Sequence, residues 1–192
     1  MTRSTLMGMA LGALCLAMPA GSAAQTPPAF KVLATSRTAT MEKEMNEAAR
    51  LGLRFGAVMG GETAMGGKEV VVVMTRPDGD SAPFQYRLLA TSKTSTMKRE
   101  LQDAADAGYV YVAQTVFESL FGGKEVVCIL ERQDGRRGDS GYEYELLATN
   151  KTSTMDKELQ KAAADGFELV GLTLGQTAMG GSELVTILRR KR

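Results

Sequence analysis

The sequence contains no histidine and no tryptophan, and only two of its residues are cysteine. Without an imidazole, the chain cannot form a Ser-His-Asp or Cys-His catalytic system, and it lacks a side chain that ordinarily titrates near neutral pH. Neither a zinc site of cysteine and histidine nor the carboxylate spacing of an EF-hand is present. We therefore expect no metal and no cofactor, and the sequence predicts a protein that is not an enzyme.

A large excess of charge of either sign is also missing. The chain has 23 Lys and Arg against 22 Asp and Glu, which gives a formal net charge of +1. Nucleic acids and anionic membranes bind proteins through basic patches, so this balance favours neither as a partner. We expect a protein or a small ligand as the partner, and association of the chain with itself stays open.

Residues 1–24 have the layout of a secretory signal peptide. Arg3 is their one charge, an apolar stretch covers residues 6–18, and small residues lead to Ala24. This pattern is typical of signal-peptide cleavage, and the apolar stretch is too short to span a bilayer. We expect cleavage after Ala24, a secreted or periplasmic protein, and a flexible segment at residues 25–29. Cys128 is then the sole thiol, so the exported chain cannot form an internal disulfide.

Three copies of one sequence unit make up the rest of the chain. They align without gaps, and self-similarity at a fixed spacing is typical of tandem duplication. The stretches between them, PDGDSAPFQ and QDGRRGDSGYE, are rich in turn-forming residues and are predicted linkers. The predicted boundaries are unit 1 at 30–76, a linker at 77–85, unit 2 at 86–132, a linker at 133–143 and unit 3 at 144–192.

Each unit begins with a short strand pattern (FKVLA, YRLLA or YELLA), followed by a polar loop and a helix pattern. Apolar residues recur at i, i+4, i+7 and i+8, which places them on one face of the helix. A threonine at the end of each loop is suited to cap the helix, and a glycine after the helix is suited to end it. The predicted caps are Thr40, Thr96 and Thr154, and the predicted terminators are Gly52, Gly108 and Gly166.

Two strand patterns follow the helix, and the second of them (EVVVVM, EVVCIL or ELVTIL) is apolar on both faces. One face can pack on the helix of the same unit, so the other needs cover from a neighbouring unit or another chain. A single unit buries too little surface for high stability, so we expect the units to share their cores. The predicted fold is α+β: three tandem β-α-β-β repeats with mainly antiparallel sheets and one helix per repeat, packed as a pseudo-threefold body rather than as independent beads.

The run ELQKAAADGFELVGL (158–172), with the leading tyrosine strand and the trailing VTILRR (185–190), resembles a widespread bacterial family of small βαββ modules. That family is described only as a domain of unknown function. Its usual pattern is a helix rich in Glu, Leu and Ala, then Gly-Trp-Glu-Leu-Val, then a hydrophobic strand ending in Lys or Arg. This sequence has Leu53, Tyr109 and Phe167 at the tryptophan position. The resemblance implies the fold of each unit, and it implies no activity and no catalytic residues.

The polar loops before the helices are one candidate ligand site. A helix N-terminus presents free N–H groups and a partial positive charge, which hydroxyls and a basic side chain can complete into an anion cradle. The alternative interpretation is that the same residues only turn the chain into the helix and cap it. The candidate residues are Arg37, Thr38, Thr40, Lys93, Thr94, Thr96, Lys151, Thr152 and Thr154.

Repeated carboxylates are a second candidate site, because two carboxylates with separated pKa values can carry out acid–base hydrolysis. The alternative is that they are solvated charges that favour a helix start or a strand edge. The residues are Glu44, Glu100 and Glu158 in the predicted first helical turns, and Glu69, Glu125 and Glu183 at the starts of the third strands.

The glycine-rich segment GGETAMGGK (60–68) superficially resembles a phosphate-binding loop, but Glu69 follows the lysine where Ser or Thr is required. We interpret it as a hairpin tip. Met65, Phe121 and Met179 at the three tips are a candidate contact surface, with core packing as the alternative. The leading hypothesis is an exported, non-catalytic binding or interaction protein. Small-molecule or anion binding at the loops and carboxylate-dependent hydrolysis are the alternatives.

Overall fold

The structure is a computed structural model that describes residues 28–63, 67–79, 82–91, 93–118, 124–176 and 181–192. The predicted signal peptide lies outside these residues, as do most of the predicted flexible N-terminus and the three tip residues Met65, Phe121 and Met179. The predictions made for those parts of the chain stay predictions.

Each unit contains one helix and three strands in the predicted order β-α-β-β. Unit 1 consists of β1 (Phe30–Thr35), α1 (Thr38–Arg50), β2 (Arg54–Thr63) and β3 (Gly67–Thr75). Unit 2 consists of β4 (Phe84–Thr91), α2 (Thr94–Asp106), β5 (Val110–Glu118) and β6 (Lys124–Gln133). Unit 3 consists of β7 (Tyr142–Thr149), α3 (Thr152–Ala164), β8 (Glu168–Gln176) and β9 (Ser182–Lys191).

The strands form three antiparallel sheets, one in each unit, with the last strand of the unit in the centre. The strand orders are β1-β3-β2, β4-β6-β5 and β7-β9-β8. In unit 1, Leu33 and Val58 both lie opposite Val72, so the three side chains share one face of the sheet. The second strand of each unit contains a bulge near its start, between Phe55 and Ala57 in unit 1. The fold is therefore α+β with three repeated units.

The helices end as predicted. Gly52, Gly108 and Gly166 have φ angles of +80°, +88° and +83°, which an L side chain rarely adopts. The residue after each glycine returns to the last turn: the N–H of Tyr109, for example, donates to the carbonyl oxygen of Ala104 at 2.9 Å. This is the hydrogen bond by which a left-handed residue satisfies the free carbonyls at a helix C-terminus.

The predicted helix caps are wrong. The helices begin two residues earlier than Thr40, Thr96 and Thr154, and the N-cap positions are Arg37, Lys93 and Lys151, none of which forms a side-chain capping bond. A threonine outside each helix turns the chain instead: the hydroxyl of Thr149, for example, accepts the N–H of Lys151 at 3.2 Å. The earlier start also moves Glu44, Glu100 and Glu158 out of the first helical turn.

The units share their cores because α1 and α2 each lie between two sheets. The sheets of units 1 and 2 meet directly at β2 and β5, and α1 separates them at β1 and β4. The core between them joins side chains of α1 and both sheets, including Met45, Val72, Tyr86 and Ile129. A second core of the same design surrounds α2, between the sheets of units 2 and 3.

The central strand of unit 2 shows why the units need each other. Val126, Cys128 and Leu130 pack in the core around α2, whereas Val127 and Ile129 face the core around α1. Both faces of β6 are therefore buried, one against the helix of its own unit and the other against the helix before it. The prediction of shared cores is confirmed.

In the part of the chain that the structure describes, the stack of sheets and helices is open at both ends. Unit 2 lies between units 1 and 3, and among the described residues the main inter-unit contacts run only from unit 1 to unit 2 and from unit 2 to unit 3. The three repeated units thus share two equivalent interfaces. The described elements do not form the third interface, between unit 3 and unit 1, that would close a threefold ring.

Candidate functional site

Helix α1 binds the edge of the next sheet through polar side chains. The amide of Asn46 donates to the carbonyl oxygen of Tyr86 and accepts its N–H, both at 2.9 Å. A carboxylate oxygen of Glu42 accepts the N–H of Leu88 at 2.8 Å. Strand β4 is at the edge of its sheet, so these backbone groups have no strand partner. The helix satisfies them in place of another strand.

The interface between units 2 and 3 repeats this arrangement. Gln102 of α2 accepts the N–H of Tyr144 at 3.0 Å and donates to the carbonyl oxygen of Tyr142 at 3.3 Å. Lys98, at the position of Glu42, forms an ion pair with Glu145 at a distance of 2.7 Å. One docking mode is therefore used twice, with an amide side chain at its centre.

A tyrosine from each following unit completes the interface. The hydroxyl of Tyr86 accepts the N–H of Phe55 at 2.7 Å, and that of Tyr144 accepts the N–H of Tyr111 at 2.9 Å. Phe55 and Tyr111 border the bulges of β2 and β5, where strand pairing is interrupted. Burial raises the pKa of both hydroxyls, so they stay protonated far into the alkaline range.

One ion pair distinguishes the first interface from the second. The guanidinium of Arg54 binds the buried carboxylate of Glu131 through two contacts, of which Nε to Oε2 is 3.2 Å. The hydrogen bond to Glu131 raises the pKa of Arg54 further. The aligned positions at the second interface hold Val110 and Arg189, and Arg189 instead pairs with Glu168 inside unit 3 at 2.6 Å.

The outer face of the first sheet, at the start of the stack, is apolar and has no helix over it in the described part of the chain. Phe30 and Val32 are 67% and 65% exposed, whereas their counterparts Tyr86 and Leu88 are 2% and 9% exposed. The pairing register places the same face of the neighbouring strands beside them. We call this surface the sheet face; its residues are Phe30, Val32, Ala34, Ala57, Met59, Val71 and Val73.

The opposite end of the stack is also apolar. In α3 only Ala162 is buried, although all four matching apolar side chains of α1 and of α2 are buried. Three leucines of β8 lie on the α3 side of their sheet and are each more than half exposed. We call this surface the helix face; its residues are Met155, Leu159, Ala163, Leu169, Leu172 and Leu174.

The candidate anion loops lie in three successive layers of the stack, so the structure does not bring them together around one small ligand. Arg37, Lys93 and Lys151 are exposed N-cap residues. In the α2 loop, the hydroxyl of Thr94 donates to a carboxylate oxygen of Glu183 at 2.6 Å. A negative charge already occupies that position, which disfavours a second anion there. Anion binding at these residues stays a prediction.

The candidate carboxylates do not form a metal site. Among the residues that the structure describes, no group of three or more Asp, Glu or Cys is arranged to hold a metal ion. Glu100 has a buried oxygen with no hydrogen-bond partner in the described residues, and it lies near Cys128. Burial, together with the charge of Glu100, raises the pKa of the Cys128 thiol to about 12. The hydrolase interpretation stays a prediction as well.

A groove with a volume of about 530 Å³ runs between α2 and the start of β7. Its polar residues largely pair with one another: Arg192 binds Asp106 at 2.6 Å, and Gln102 binds backbone groups of β7. Lys98 at its rim is held by Glu145. The groove is therefore part of the second interface rather than a separate ligand site.

Sequence reasoning missed the two uncovered faces. The apolar alternation of β1 is the same as that of β4 and β7, and α3 has the same apolar spacing as α1 and α2. The sequence therefore predicts burial equally for all three copies. The available signal was positional: in the part of the chain that the structure describes, unit 1 and unit 3 are the outer repeats, and outer repeats of an array differ from internal ones.

Comparisons of the chain with family models, with curated proteins and with solved structures found no match in any of the three. The family resemblance suggested by the sequence pattern accordingly stays a prediction. Among the described residues, no helix has both the length and the apolar character needed to cross a membrane.

Proposed function

We propose that this protein is an exported, non-catalytic binding protein that docks a polypeptide partner on its sheet face and helix face. The exposure of Phe30 and Val32 carries the proposal, because the matching residues of units 2 and 3 are buried. Contiguous exposed apolar surface is uncommon on soluble proteins and marks sites of interaction.

The backbone beside the sheet face adds a polar requirement. Strand β1 is at the edge of its sheet and pairs only with β3 among the described strands. At the equivalent edges of β4 and β7, amide side chains from a helix bind the backbone. A partner for the sheet face therefore needs apolar side chains for Phe30 and Val32, and polar groups that reach the edge of β1.

Site-specific photo-crosslinking in cells that export the protein tests this function. A benzophenone amino acid is placed at Val32 or at Leu172, one in each uncovered face. Arg136 is the control position, because it is exposed in the connector between units 2 and 3. We expect covalent adducts with a polypeptide from Val32 and Leu172, and none from Arg136.

A charged substitution inside the sheet face gives the matched specificity test. Met59→Asp places a carboxylate among the apolar side chains and should abolish the Val32 adduct, because burying an unpaired charge is costly. Mass spectrometry of the adduct identifies the second component. Absence of any adduct from both face positions would overturn the proposed function.

A further inference from the structure

We propose that the docked partner is a second copy of this chain, bound head to tail: the helix face of one copy covers the sheet face of the next. This inference rests on the proposed function and adds the identity of the partner. The chain itself contains the template. At the junctions of units 1 and 2 and of units 2 and 3, the helix side of one sheet covers the outer side of the next sheet. The two uncovered faces are the remaining halves of that same junction.

The side-chain amide and the edge-strand backbone of the template are present at the two uncovered ends. Gln160 occupies the position of Asn46 and Gln102, and it is exposed in α3. Phe30 occupies the position of Tyr86 and Tyr144 in the edge strand. In the head-to-tail contact, the amide of Gln160 therefore accepts the backbone N–H of Phe30 in the next copy, as Asn46 and Gln102 accept the N–H groups of Tyr86 and Tyr144 within the chain. Its amide nitrogen donates to a backbone carbonyl oxygen of the same edge, as it does at both junctions.

The charges at the contact are also complementary. At each junction, one helix position and one strand position carry side chains of opposite sign. The pairs are Glu42 and Arg87 at the first junction, Lys98 and Glu145 at the second, and Asp156 and Lys31 at the head-to-tail contact. At the second junction the two groups form an ion pair. Opposite charges at matched positions favour this register and orientation.

The apolar surfaces correspond in the same way. Within the chain, β2 packs on β5 and β5 packs on β8. The head-to-tail contact places β8 of one copy on β2 of the next, so that Leu172 and Leu174 face Ala57 and Met59. All four side chains are exposed in the single copy, and burying them supplies the driving force for association.

One group of the template is missing, which makes the contact between copies weaker than the junctions inside the chain. Tyr86 and Tyr144 accept a backbone N–H through their hydroxyls, but the matching residue of unit 1 is Phe30. Phe30→Tyr restores the acceptor for the N–H of Leu169 in the preceding copy. We expect this variant to associate about two- to tenfold more tightly, the effect of one added hydrogen bond.

Sedimentation of the full exported chain, followed by mixing of two variants, tests the orientation. Val32→Asp damages only the sheet face and Leu172→Asp damages only the helix face; both side chains are exposed, so each variant keeps its fold. We expect the unaltered chain to associate, each variant alone to be monomeric, and an equimolar mixture to form dimers. The mixture can dimerise because it contains one intact face of each kind, which is the property of a heterologous contact.

Three results would overturn the inference: an unaltered chain that stays monomeric up to millimolar concentration, a Leu172→Asp variant that still associates, or a mixture that stays monomeric. Arg136→Asp, a charge change in the connector, is the control and should associate normally. Exchange of the charges by Asp156→Lys together with Lys31→Asp should restore association lost in Asp156→Lys alone.

A Val32 photo-adduct with a different polypeptide would leave the proposed function standing and remove this inference, whereas no adduct at all would remove both.

Discussion

Asn46 and Tyr86 lie in different units and are joined by two hydrogen bonds between one side-chain amide and one backbone position, each 2.9 Å long. A side-chain amide has both a donor and an acceptor, so it can replace the neighbouring strand that an edge residue lacks. Gln102 likewise accepts the N–H of Tyr144, and it donates to the carbonyl oxygen of Tyr142 in the same edge strand. The side-chain amide at this helix position therefore binds unit 1 to unit 2 and unit 2 to unit 3.

Substitution of Asn46 should destabilise the folded chain. Asn46→Ala removes both bonds and leaves the Tyr86 backbone unsatisfied at a half-buried site, so we expect the free energy of unfolding to fall by about 1–3 kcal/mol. Chemical denaturation measures the change. Gln160→Ala is the matched control, because Gln160 occupies the same helix position and is exposed in the structure. Both variants are compared in a Val32→Asp background, which is designed to block the proposed head-to-tail contact; equal losses would contradict the assigned role of Asn46.

The glycines that end the helices should differ in their tolerance of alanine. Gly108 and Gly166 both have positive φ, so Ala at Gly166 should cost about 1 kcal/mol from backbone strain alone. A Cβ at Gly166 meets no described atom within 4 Å, whereas a Cβ at Gly108 lies 2.5 Å from the carbonyl oxygen of Gly138. Gly108→Ala should therefore lower the thermal midpoint distinctly more than Gly166→Ala, as measured by calorimetry. Equal midpoints for the two variants would show that the clash with Gly138 is absent.

The buried tyrosines should make the protein lose stability in alkali. Burial raises the pKa of Tyr86, Tyr111 and Tyr144 in the folded state, while the unfolded chain ionises at about pH 10. The contribution of these tyrosines to the free energy of unfolding is fully present below the pKa of the unfolded state and is lost as pH rises toward the pKa of the folded state. Between the two pKa values, only the unfolded state releases the phenolic protons. Denaturation from about pH 9 to about pH 11 should show a falling free energy of unfolding.

Tyr86→Phe separates the titration from other alkaline effects. The variant loses the hydrogen bond from the N–H of Phe55, so it should be less stable at neutral pH by about 1 kcal/mol. It also loses one titrating phenol, so its stability should fall less steeply above about pH 10 than that of the unaltered chain. Parallel curves for the two proteins would mean that Tyr86 ionises normally when folded.

The thiol of Cys128 should be inert in the folded protein. It is completely buried and its pKa is raised to about 12, so almost no thiolate is available to a disulfide reagent at about pH 8. We expect no labelling until denaturant is added. Cys128→Val should change the free energy of unfolding by less than about 1 kcal/mol, because valine is a similar small apolar side chain and Val72 occupies the same position in unit 1. Rapid labelling under native conditions would contradict the packing of β6.

The sequence alone determined the repeated β-α-β-β unit, the helix terminators and the need for shared cores. These features follow from local rules: the glycines at Gly52, Gly108 and Gly166 permit a left-handed backbone, and a strand that is apolar on both faces needs cover on both. The predicted position of the helix N-cap was wrong by three residues. Each loop contains several threonines, and any of their hydroxyls could turn the chain into the helix. The composition of the loop does not show which threonine does so.

Only the tertiary structure decided which apolar residues are covered. Phe30, Tyr86 and Tyr144 occupy the same position of the same pattern, but only Phe30 is exposed, because burial depends on whether a helix precedes the unit in space. Leu169 and Tyr111 differ in the same way at the other end of the stack. Whether a side chain is buried depends on its neighbours in three dimensions. The repeated sequence gives every unit the same two interface surfaces, and the position of a unit in the stack decides which of these surfaces stays uncovered.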